Sequence, residues 1–123
     1  MRQLRSAFIF LVITTACSKP LPALEGIDHD KWTSDKNACS GDRTSMKKAM
    51  GTEMEKLKGL AEMDVITLLG RPDENELYKR NQKFYYYYLT PGPDCPEHPP
   101  IPDKLVIRFN AMGFAQLVSM ESQ

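Results

Sequence analysis

The residues in this chain that carry chemistry most readily are three cysteines, at positions 17, 39 and 95, and two histidines, His29 and His98. A thiolate beside an imidazole could serve as a nucleophile or hold a metal, but either role needs the groups set together on a rigid frame. Cys95-Pro-Glu-His98 is a lone, proline-broken spacing, and no Cys-x-x-Cys occurs. His29 stands between Asp28 and Asp30 in a segment without apolar period, and His98 stands among prolines, so both read as solvated loop histidines. The chain also lacks a glycine-rich phosphate loop, a Gly-x-Ser-x-Gly and a His-Glu-x-x-His. The expectation is therefore a protein that is not an enzyme, with no cofactor and no metal. A redox or metal enzyme built on Cys39, Cys95 and His98 is the least favoured alternative.

The first cysteine belongs to a different chemistry. Arg2 and Arg5 precede Ser6 to Ala16, an uncharged and largely apolar run of 11 residues. A membrane-spanning helix needs roughly 20 residues, so the run reads as an export signal. Ile13-Thr14-Thr15-Ala16-Cys17 resembles the bacterial lipoprotein signal, in which the cysteine is acylated and becomes the new N-terminus. The resemblance implies a signal peptide over 1–16 and a palmitate-type anchor on Cys17. Each buried methylene of such an anchor contributes about 0.8 kcal/mol. Ser18, in place of aspartate, implies the outer membrane, with the rest of the chain facing the periplasm. With Cys17 taken up by lipid, Cys39 and Cys95 remain as an even pair, and in an oxidising compartment the natural reading is a disulfide. Closing a loop of about 57 residues stabilises a chain by roughly 4 kcal/mol in the chain-entropy model.

Removing residues 1–16 leaves 107 of the 123 residues, a size for one domain. The balance of 16 basic and 16 acidic side chains loses Arg2 and Arg5, so the net charge becomes −2. Near-neutrality gives no electrostatic case for nucleic acid as a partner. Residues 17–31 hold prolines and glycine without apolar periodicity and read as a lipidated tether, with ordered structure expected from Trp32, in a single domain over 32–123.

From Arg43 to Leu57, Met46, Met50, Met54 and Leu57 recur at the spacing of one helical face. A second, shorter pattern runs from Leu60 to Leu69 and stops at Gly70, with Pro72 just beyond. After Asp73 the chain reads as strands: Glu76 to Lys79, a turn at Arg80-Asn81-Gln82, Lys83 to Thr90, then Lys104 to Asn110 and Phe114 to Met120. The proline-rich segment Pro91 to Pro102 must be an irregular loop. Two helices followed by hairpin-linked strands predict an α+β domain, with both helices on one face of a three- to four-stranded antiparallel sheet.

Phe84 to Tyr88 are five consecutive aromatics. On a strand, Phe84, Tyr86 and Tyr88 face one way and Tyr85, Tyr87 and Leu89 the other. Only one set can pack on the helices, and rigid amphipathic rings left outside suit a protein interface. Tyr85, Tyr87 and Trp32 are the candidate interface residues, with cover from Trp32 or the proline-rich loop as the alternative.

Leu57 to Asp73, with its Gly59-Leu60, Val65 and Leu68-Leu69-Gly70-Arg71-Pro72, resembles the BamE-like (SmpA/OmlA) small outer-membrane lipoproteins. So does Leu105 to Gly113 after a tyrosine-rich strand, and together the similarity covers residues 57 to 120. The chain is also similar to uncharacterised envelope lipoproteins with stretches like Leu77 to Phe84 and Pro91 to Cys95. The resemblance implies a scaffold or interaction module on an envelope protein partner, in outer-membrane assembly or maintenance. An inhibitor or ligand-binding module of similar helix-and-sheet layout is the alternative.

Overall fold

A computed structural model describes residues 20–122. The segment 1–16 expected to be a signal peptide and Cys17, the expected anchor residue, lie outside the described residues. The architecture is the expected α+β arrangement, helices first and then a four-stranded antiparallel sheet in the order β1-β2-β3-β4.

Three helices carry the first half: α1 (His29–Ser34), α2 (Asp42–Glu53) and α3 (Glu62–Leu69). The methionine spacing of α2 works as expected, with Met46, Met50 and Leu57 buried and Met54 packed at the margin. After Glu53 the α-helix tightens into a 3-10 turn, Met54–Leu57, which keeps Leu57 on the buried side. α3 ends at Gly70, whose φ of 77° an L side chain rarely adopts and whose N–H bonds back to the Ile66 carbonyl at 2.7 Å. A β-carbon on Gly70 would also stand 3.1 Å from Thr33 Cγ2, so the glycine lets α1 and α3 touch.

α1 was not anticipated, because six residues show too little periodicity. Asp28 caps it by accepting from the Lys31 amide at 3.1 Å, and Trp32 drives it into the core at 0% exposure. Packing starts before the expected Trp32: Leu24 and Ile27 lie partly buried against the core. His29, placed by sequence in a solvated tether, begins this helix and meets the Thr67 carbonyl at 2.9 Å through Nε2.

The strands are β1 (Glu74–Tyr78), β2 (Gln82–Tyr88), β3 (Lys104–Phe109) and β4 (Ala115–Glu121). β1 and β2 join through a 3-10 turn at Lys79–Asn81. In the β3–β4 hairpin, Asn110 Oδ1 accepts from the amides of Met112 and Phe114, and Gly113 takes a φ of 84°. The helices cover one face of the sheet, where Tyr85, Tyr87, Leu89, Leu105, Ile107, Phe109, Ala115 and Val118 meet Trp32, Met46, Met50, Leu57, Val65 and Leu69. Gly51 faces Met120, whose Sδ lies in ordinary contact distance of a β-carbon built there.

Cys39 and Cys95 form the expected disulfide, with Cα atoms 5.4 Å apart. It ties the proline-rich loop to the turn before α2.

Candidate interaction surface

The tyrosine strand was expected to show one face outward, and the register decides which. Tyr85 pairs with Ile107 and Tyr87 with Leu105, both core positions, so these tyrosines point at the helices. Tyr87 is 0% exposed and gives its hydroxyl to the Gly70 carbonyl at 2.8 Å. Tyr85 is 8% exposed, packs edge-on against Phe109 and donates to Glu62 Oε1 at 2.8 Å. Trp32 lies 6.4 Å from the Tyr87 ring. The three candidate interface residues are therefore core residues. Sequence pattern alone could not orient them, because the strand is aromatic on both sides.

Burial of those rings depends on a polar cluster that composition did not reveal. Arg43 lies on the buried stripe of α2, three residues before Met46, and its side chain is 1% exposed. Its guanidinium stands 5.0 Å over the Trp32 ring, donates through Nε to the Trp32 carbonyl, and pairs through Nη1 with Asp73 Oδ2 at 2.5 Å. Asp73 also accepts from the Tyr88 and Asn37 amides at 2.8 and 2.9 Å. Asp35 accepts from the amides of Ser40 and Arg43 at 2.7 and 2.9 Å. A buried charge is tolerated only when it is paired or hydrogen-bonded: Arg43 and Asp73 are both, and Asp35 is held by the two amides. The Arg43 and Asp73 side chains are 1% and 3% exposed, and the cluster acts as a clasp between α2, the sheet and the crosslinked loop.

The opposite face of the sheet carries Glu74, Glu76 and Tyr78 from β1, Phe84, Tyr86 and Tyr88 from β2, Lys104, Val106 and Arg108 from β3, and Leu117, Ser119 and Glu121 from β4, aligned by strand pairing. None of the described helices lies over it. Phe84 and Tyr86 stack with planes 6° apart, Tyr78 meets Phe84 edge-on, and Lys104 Nζ sits 4.4 Å from the Tyr86 ring centre. Tyr86 donates to Glu76 at 2.9 Å and Tyr88 to Glu74 at 2.8 Å. Burial, and then the neighbouring carboxylate, push the Tyr86 hydroxyl up to about 12 and raise the Tyr88 hydroxyl as well.

The proline-rich loop folds over the Tyr88 end of this face. Gly92 permits that closeness, since a β-carbon there would stand 2.8 Å from the Tyr88 ring. A groove of about 200 Å³ remains between Tyr88, Lys104 and Glu121 on the sheet and Pro93, Ile101 and Pro102 on the loop. The surface therefore runs from half-buried Phe84 and Tyr86 to exposed Tyr78, with fixed acids along β1. Sequence reading left Glu74 out of the strand because it began it at Glu76; the alternation of Glu74 and Glu76 with Asn75 and Leu77 was the available signal.

His98 is exposed and its Nδ1 lies 3.1 Å from the neighbouring Pro99 carbonyl oxygen. Among the described residues no group of three or more His, Cys, Asp or Glu side chains could hold a metal ion, and no helix is long and apolar enough to cross a membrane. Compared with protein-family models, curated proteins and solved structures, the chain matches none.

Proposed function

We propose that this chain is a lipid-anchored envelope protein, held in the outer membrane through Cys17 and facing the periplasm, that acts by binding another envelope protein without catalysis. The observation that carries the reading is the outer sheet face, where aromatic rings and fixed carboxylates lie uncovered by the described helices. Rings held rigid by stacking lose little freedom on contact, which favours them at interfaces. The helix-ending Leu-Leu-Gly-Arg-Pro run and the Asn110 to Gly113 turn support assignment to the BamE-like group. The disulfide supports an oxidising compartment. An inhibitor or small-ligand module is the second reading, which the grooves beside Tyr88 and between α3 and β1, of about 200 and 390 Å³, would serve.

Photo-crosslinking in intact cells tests the proposal, with a reactive residue at Phe84 or Tyr86 and a control at Lys48 on α2. Crosslinks to one envelope protein from the sheet positions alone are expected. Equal labelling from both faces, or none from the sheet, overturns the interaction role. Mass analysis of the mature chain should find Cys17 acylated, and a bare Cys17 overturns the anchor.

A further inference from the structure

The two edges of the sheet are not equivalent. At the β4 edge the chain from Gly59 to Glu62 pairs with the start of the strand: the Gly59 amide donates to the Ala115 carbonyl, the Ala115 amide to the Leu60 carbonyl and the Glu62 amide to the Gly113 carbonyl, all within 3.0 Å. β1 pairs only with β2, and all five of its residues are exposed. An open edge strand is a template for another strand, and proteins usually blunt it with charged side chains, lysine above all, or with proline or a bulge. Glu74–Tyr78 carries no lysine, proline or bulge, and its only charges are the two glutamates, which would repel an acidic strand and attract a basic one.

Its two rows of side chains differ in character. On the outer row, Glu74 and Glu76 are fixed by the Tyr88 and Tyr86 hydroxyls, and neither carboxylate forms an ion pair among the described residues. On the inner row, Leu77 is 76% exposed, and Met63 of α3 is 68% exposed. Between α3 and β1 runs an open groove of about 390 Å³, lined by Met63, Ile66, Arg71, Pro72, Asn75 and Tyr85. The helices thus stop short of the β1 end of the inner face.

We infer that the free edge of β1 binds an extended segment of a partner protein in which basic and apolar residues alternate, a mode that rests on the proposed interaction role. Side chains of an added strand fall alternately on the two faces. Basic residues would meet Glu74 and Glu76, and apolar residues would cover Leu77 and the groove. Lys79 and Arg80 close the strand at its turn, so the basic positions must lie opposite the glutamates and end before Tyr78. A second copy of the chain suits the edge poorly: paired about its centre, β1 would set Glu76 against Glu76, a like-charge pair.

The test uses the full chain in detergent micelles and a labelled synthetic peptide alternating lysine with valine. Fluorescence anisotropy should detect binding, and β1 amides should gain protection from hydrogen exchange. The Glu74→Gln/Glu76→Gln variant, which keeps the tyrosine acceptors, should weaken binding about tenfold, as should Leu77→Lys. A peptide of the same composition with its lysines in one block should bind at least about tenfold more weakly. No binding, equal binding of the block peptide, indifference to the glutamate change, or dimerisation through β1 would each overturn the inference. Crosslinks in cells from Phe84 or Tyr86 with none from Leu77 would overturn edge pairing while leaving the interaction role intact.

Discussion

Arg43 shows how much a single side chain can decide. Its charge is out of water, against Trp32 and paired with Asp73, so removing it leaves a buried carboxylate without its cation. Arg43→Met is expected to cost about 3 kcal/mol or more in urea unfolding, and adding Asp73→Asn should restore part of the loss. This pair is not legible in local pattern, because an arginine on a helix reads as solvent-facing until its neighbours are known. Tyr85 makes a pH prediction. Burial and then Glu62 raise its hydroxyl from the ordinary 10.0 to about 12 in the folded chain. The folded state therefore holds a proton that the unfolded state releases, and its contribution is complete below pH 10 and fades as pH rises toward 12. Unfolding midpoints measured across that window should fall with pH, and Tyr85→Phe should make the fall shallower.

At the scale of elements, the legible features were those with a repeated signal. The methionine stripe located α2, the Gly70 and Pro72 stop ended α3, and alternation located β3 and β4. α1 and the 3-10 turns were missed because a few residues fixed by capping and one tryptophan leave no period to read. The strand face was missed because packing of helices, absent from local pattern, chooses between two aromatic sets. Gly70 is the junction on which the helical layer turns. Gly70→Ala would force an L residue to a φ of 77° and press its methyl on Thr33, and a loss of about 1–2 kcal/mol in thermal or urea unfolding is expected.

For the whole molecule, the disulfide sets the margin of stability. The crosslinked residues are separated by 56 positions, so the loop includes α2, α3, β1 and β2. The Cys39→Ser/Cys95→Ser variant should lose about 4 kcal/mol, read as a lower urea midpoint, with the wild-type chain under reductant behaving the same way. Against a small domain's net stability of about 5–15 kcal/mol, that is a share from about a quarter to four-fifths. The same bond has a bearing on transport. On the proposed export route, the chain crosses the inner membrane before any oxidant can join its thiols, and so passes the translocon as a slack thread. On that route it would lock only on the far side, and arrival, rather than synthesis, would be the moment at which the protein becomes hard to unravel.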